Sequence, residues 1–144
     1  MGQLMPKVLI ASVCGLIIGL ERELKHKAAG IRTNVLVCVG ACVYTYIGFI
    51  IGADYKVDPS RIIGQIVTGV GFLGAGVIFK QDDKIQGVTT AAFIWVVAAI
   101  GVLIGCGHEW TSVMLTVGLV AALKLLEHIE RIVYKEKQDT HENS

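Results

Sequence analysis

Apolar residues run through this chain in long unbroken stretches, with the charges gathered between them. Five uncharged windows result: 8–20 (13 residues), 33–53 (21), 62–79 (18), 85–108 (24) and 110–123 (14). A bilayer core of about 30 Å takes about 20 helical residues at 1.5 Å each, within a working range of about 17 to 25. The second, third and fourth windows meet that outright. The first is extended backwards by Leu4 and Met5 past Lys7, and the fifth by Leu125 and Leu126 past Lys124, each lysine being placed to snorkel to an interface. One helix over 85–123 would run to about 58 Å, twice the core. Gly105, Gly107, His108 and Glu109 supply a break between the fourth and fifth windows. The pattern predicts an all-α integral membrane protein, a bundle of five transmembrane helices at 4–20, 34–53, 60–79, 88–105 and 110–126.

Orientation follows from the positive charges in alternate connections. One side receives ten: Arg22, Lys25, Lys27, Arg32, Lys80, Lys84, Lys124, Arg131, Lys135 and Lys137. The other receives Lys7, Lys56 and Arg61. The ten-residue side is expected in the cytoplasm, with the N-terminus outside and the C-terminus inside. A cleaved signal peptide has the right size for 8–20, but Glu21-Arg22-Glu23 stands where a small-residue cleavage site belongs, so the first helix is expected to stay.

Composition agrees: 53% of residues are hydrophobic, 17% are charged and mean hydropathy is +0.64, which excludes an ordinary soluble domain. Thirteen basic against twelve acidic residues give no reason to expect nucleic acid as a partner. Cys14, Cys38, Cys42 and Cys106 have no zinc spacing, and His26, His108, His128 and His141 are scattered. No metal or cofactor site is expected. No Ser and His, Cys and His or paired carboxylates share a depth in this topology, so no catalytic residues, and no enzyme, are expected.

Glycine is the informative residue, 17 of 144 and mostly inside the spans. In lipid, small residues spaced four apart let helix backbones approach. Gly15 and Gly19 form such a pair, and Gly69, Gly71, Gly74 and Gly76 give the third helix a dense small-residue surface, expected to place it near the bundle centre, with Trp95 as a further helix-packing residue. The same stretch satisfies GxGxxG, but that fingerprint closes a strand at a solvent-facing phosphate site; here it lies inside an uncharged span. The surplus of small-residue surface also predicts a homo-oligomer, a dimer by default.

Asp58 and Pro59 read as the N-cap and first residue of the third helix. Arg61 and Gln65 share a face one turn apart, Arg61 as a solvated anchor or a functional group and Gln65 as interhelical glue or a solute or ion contact. On the inner side, Glu21 and Arg22 end the first helix, Arg32 and Thr33 open the second, and Thr89 and Thr90 open the fourth. These groups either converge into one polar cluster or serve as interfacial anchors, with Glu21 paired to Arg32.

Read together, several blocks resemble the MgtC/SapB family of bacterial inner-membrane proteins. They are Gly15 with Gly19-Leu20-Glu21-Arg22-Glu23; Ala29-Gly30-Ile31-Arg32-Thr33; Asp58-Pro59, Arg61, Gln65 and Gly69 through Ile78; and Gly87-Val88-Thr89-Thr90-Ala91-Ala92 with Trp95, Ala98-Ala99 and Gly101. The likeness covers roughly 8–126. It implies a multi-pass protein of the bacterial cytoplasmic membrane, tied to magnesium homeostasis, to adaptation to acid and phosphate stress and, in pathogens, to virulence. It also implies, for some members, restraint of ATP synthase rather than transport. Longer members add a cytoplasmic soluble domain; the expectation here is a membrane domain over 1–126 without it, then a helix extension and polar tail over 127–144. The apolar stripe Leu125, Leu126, Ile129, Ile132 and Val133 carries that extension, and 135–144 is expected to be unstructured. The expected partners are lipid, a second copy, and ATP synthase or another membrane complex. The function expected is regulation through membrane-protein contacts, the alternative an oligomeric transporter or channel for an ion such as magnesium.

Overall fold

The computed structural model describes residues 3–56 and 58–142, with side-chain surroundings given as far as Val133 apart from residues 1, 2 and 57. Five helices and one hairpin follow each other: α1 (Leu4–Leu24), α2 (Ile31–Tyr55), α3 (Ser60–Gly76), β1 (Phe79–Gln81), β2 (Lys84–Gln86), α4 (Val88–Gly105) and α5 (Glu109–Glu142). Among the described residues, α1, α2, α4 and the Glu109–Val133 part of α5 are long and apolar enough to cross a membrane. α3 is 17 residues long.

The core is built by α1, α2 and α4. Cys14 and Ile18 of α1, Cys38 and Cys42 of α2, and Val97, Ile100 and Ile104 of α4 form one buried cluster. Glycines set how closely these helices meet. A Cβ added to Gly15 would lie 2.7 Å from Val35 Cα, and one on Gly19 would lie 2.6 Å from Ile31 Cα, so α1 rests backbone to backbone on α2. On the other flank of α2, a Cβ on Gly101 would lie 2.2 Å from the Cys38 carbonyl oxygen and one on Gly105 2.7 Å from that of Cys42. Gly101 and Gly105 are a small-xxx-small pair that the sequence reading passed over.

The expectation of α3 at the centre is corrected. Only Val70 and Gly74 are buried in it; nothing lies within 4 Å of a Cβ placed on Gly69, Gly71 or Gly76, and Phe72 is 80% exposed. α3 lies on the outside of α4 and α2, where a Cβ added to Gly74 would lie 3.5 Å from Ala91 Cβ, an ordinary contact. Trp95, expected to pack between helices, is 52% exposed on α4, beside Ile66 and Val70 of α3. A row of small residues looks the same in sequence whether it faces a helix or lipid.

The third helix was also expected to run to 79. It stops at Gly76 because the next residues enter an antiparallel hairpin with Phe79 opposite Gln86 and Lys80 opposite Ile85. Asp82 and Asp83 both have positive φ, 48° and 61°, which is the type I′ geometry that matches strand twist. Gly87, at φ 88°, closes the hairpin; a Cβ there would lie 1.9 Å from the Val77 carbonyl oxygen.

The break between α4 and α5 falls where it was expected, with Gly107 at φ 94°. α5 continues helical to Glu142, past Lys135, where the sequence pattern placed an unstructured tail; residues 143 and 144 lie outside those described.

Candidate functional site

The buried charged side chains among the described residues lie near the two ends of α1. Lys7 is at one end, and Glu21 and Arg22 are at the other, about 22 Å along the helix.

Lys7 does not snorkel. It is 7% exposed, donates to the Ile104 carbonyl at 3.0 Å and pairs with Glu109, so it ties α1 beneath the turn between α4 and α5. That turn pairs the last carbonyls of α4 with the amides of Cys106, Gly107 and His108, and the ammonium adds to them at the negative end of the helix dipole.

At the other end Arg22, Thr90 and Phe93 form the floor of a pocket of about 680 Å³, whose remaining walls include Glu21, Lys25, Phe79, Thr89, Leu123, Leu126 and Glu127. Arg22 is 4% exposed. Its Nη2 donates to Thr90 Oγ1 at 2.8 Å and its guanidinium lies 4.2 Å from the centroid of the Phe93 ring. Its Nε has no hydrogen-bond partner. Glu21 was expected to pair with Arg32 if it served as an anchor; instead its Oε1 holds Lys25 Nζ at 2.6 Å, and Lys25 also reaches Glu127 Oε2 of α5 at 2.7 Å. The i,i+4 spacing within the last turn of α1 brings Lys25 back over Glu21. Those two carboxylates, Glu127 first, hold the Lys25 ammonium above its ordinary lysine value. Glu21 Oε2 is left without a partner.

The turn from α1 to α2 is fixed by side chains of the same region. Glu23 Oε2 accepts the Ile31 amide at 2.9 Å, capping the start of α2, and buried Asn34 donates to the carbonyls of Ala29 and Gly30 at 2.5 and 2.8 Å. This holds His26 and Ala29 in positive φ.

Of the residues singled out in the sequence, the pocket therefore unites Glu21, Arg22, Thr89 and Thr90. Arg32 and Thr33 are exposed at the start of α2 and do not line it. Asp58, Arg61 and Gln65 belong to the start of α3, at the other end. Asp58 accepts the Ser60 amide at 2.9 Å and its hydroxyl at 2.6 Å, which lowers its carboxyl below the usual range. Pro59 takes the N-cap position expected of Asp58. Gln65 lines a separate apolar cleft of about 470 Å³ between α2 and α3, with Gly40, Tyr44 and Gly69. Lys25, Phe93 and Glu127 also line the pocket and were not among the residues singled out in the sequence. The spacing of Lys25 from Glu21 was visible; the approach of Glu127, about a hundred residues away, was not.

The MgtC family model matches residues 8–132. The chain belongs to that family. It is 41% identical over 123 residues to Protein MgtC of Brucella abortus, covering 85% of this chain and 51% of that one. It is 42% identical over 134 residues to the Escherichia coli K12 protein named "Putative magnesium transporter YhiD", covering 89% of this chain and 60% of the other. An uncharacterised protein of Haemophilus influenzae is 40% identical over 140 residues, 92% of this chain and 59% of its own. The chain thus spans a little over half the length of these MgtC-family relatives. No solved structure matches it. The apolar helices and the family together make it a multi-pass membrane protein.

Proposed function

We propose that this MgtC-family chain is a regulatory protein of the bacterial cytoplasmic membrane, acting in magnesium homeostasis and the response to acid or phosphate stress through contacts with other membrane proteins. In this reading α3, at 17 residues and within the working length of a span, is a fifth crossing, with the Arg22 pocket and the C-terminus on the cytoplasmic side. The observation that carries the reading is the sealed middle of the bundle. Between Lys7 and Arg22 the buried side chains include Cys14, Ile18, Cys38, Cys42, Val97 and Ile100, with Thr45, Ser112 and Thr116 as polar members, of which Thr45 Oγ1 has no partner. Ser112 and Thr116 satisfy their hydroxyls within α5. Transport sites near a midplane carry ionisable groups or broken helices, and neither occurs here among the described residues. The exposed glycine face of α3 offers a surface on which another membrane helix can seat.

The second reading is an oligomeric transporter. It draws on the name of the Escherichia coli relative and on Gln65 in the open α2–α3 cleft, a place where a path between copies would run.

An affinity pull-down in mild detergent from magnesium-starved cells, wild type against Gly71→Leu, tests the regulatory reading. Recovery of ATP synthase or another membrane complex with wild type, and its loss with Gly71→Leu, is the expected result. Recovery of the protein alone with both would overturn it.

A further inference from the structure

The Arg22 pocket has two unsatisfied buried atoms on neighbouring residues, and they are of opposite kind. Arg22 Nε is a charged donor without an acceptor; Glu21 Oε2 is an acceptor without a donor. A buried guanidinium whose assigned partners are one neutral hydroxyl and a ring face is undercompensated, because buried charge is costly unless paired and hydrogen-bonded. The start of α4 adds to the demand for an anion. Gly87, Thr89 and Thr90 line the pocket, no side chain caps the helix, and its first turn has no acidic residue. The N-terminus of an 18-residue helix, the positive end of its dipole, therefore lies beside this space.

Carboxylates share the same pocket. Glu21 and Glu127 hold Lys25, and Glu130 is at the rim with Lys27 and His26. Formal charge across these groups cancels, so a simple anion gains no net attraction, and a simple cation meets Arg22. A ligand bearing both signs a few ångströms apart answers both orphans. The remaining walls are apolar: Phe79 of the hairpin, Phe93 of α4, and Leu123 and Leu126 of α5. Leu126 is more than half exposed, so the apolar wall of the pocket continues onto the outside of the bundle.

From this we infer that the pocket is a headgroup site for an aminophospholipid. Its phosphate sits between Arg22 and the first turn of α4, and its primary ammonium donates to Glu21 Oε2. The acyl chains leave along Leu123 and Leu126. This site is independent of whether the chain regulates a partner or conducts an ion.

Native mass spectrometry of the detergent-solubilised chain tests it, by titration with phosphatidylethanolamine, phosphatidylcholine, phosphatidylglycerol and soluble phosphoethanolamine. A quaternary ammonium cannot donate, and glycerol carries no charge. Wild type should therefore prefer phosphatidylethanolamine over either of the other lipids by about tenfold, the size of one charge-assisted hydrogen bond. Soluble phosphoethanolamine should bind more weakly than the lipid. Glu21→Gln should erase the preference over phosphatidylcholine. Arg22→Lys, which keeps charge but loses the planar fork, should weaken all three lipids. Equal binding of the three by wild type, or a preference that survives Glu21→Gln, would overturn the inference. So would tighter binding of soluble phosphoethanolamine than of the lipid. The wild-type comparison decides the matter even if a variant fails to fold.

Discussion

Replacing Gly101 by alanine drives a methyl into the backbone of the neighbouring helix. The added Cβ would lie 2.2 Å from the Cys38 carbonyl oxygen and 2.9 Å from Ala41 Cβ, where ordinary contact begins at 3.4 Å. The nearest atom is main chain, so no rotamer change relieves the clash, and α4 must move away from α2 by about 1 Å in a close-packed interior. Overpacking of this kind costs about 1–3 kcal/mol, here toward the upper end. Alanine's greater helix propensity returns about 0.5–1 kcal/mol. A net loss of about 1–2 kcal/mol is expected. Gly71→Ala is the matched control, since nothing lies within 4 Å of its Cβ, and it should leave stability unchanged or raise it by up to about 1 kcal/mol. Reversible unfolding in mixed dodecylmaltoside and SDS micelles, followed by far-ultraviolet circular dichroism, measures both. A wild-type midpoint for Gly101→Ala, or equal damage from Gly71→Ala, would refute the placement of α2 and α4 in the core and α3 at the edge.

Lys7→Met deprives the Ile104 carbonyl and Glu109 of their shared donor and should cost about 1–3 kcal/mol in the same assay; Glu109→Gln added to it should cost less than it does in wild type. Cys14, Cys38 and Cys42 are buried while Cys106 is partly exposed, so a maleimide applied to the folded protein should label Cys106 alone, and mass spectrometry of the digest shows which site reacts. Asp58 has its carboxyl pKa lowered by Ser60, so its contribution to the start of α3 is present above the ordinary carboxylate value of about 3.9 and is lost as pH falls through the lower folded value. A carbon-13 titration of the Asp58 carboxyl should find that lower midpoint, and Ser60→Ala should move it up.

What the sequence disclosed follows physical lines. Uncharged length is a one-dimensional property, so the helices, and the break at Gly105 to Glu109, could be read from it. Glu21 and Arg22 at the end of one helix and Thr89 and Thr90 at the start of another meet in one pocket, which is one of the two arrangements the sequence left open. Location within the bundle did not follow. The glycines of α3 and the pair Gly101 and Gly105 carry the same small-residue signal, yet one set faces outward and the other meets α2 within contact distance. The hairpin was hidden because Phe79 to Gln86 is too short for an alternating pattern to stand out, and its two-residue Asp82-Asp83 turn uses non-glycine residues at positive φ. Lys7 was misplaced because its partner, Glu109, is 102 positions away.

The central claim is that the bundle is closed between its charged ends. Magnesium influx into proteoliposomes holding the purified chain, reported by an encapsulated dye with and without a membrane potential, tests it most directly. A closed bundle should give flux equal to that of protein-free vesicles. Saturable influx that is lost on Glu21→Gln or Arg61→Ala would contradict it and establish a path through the assembly.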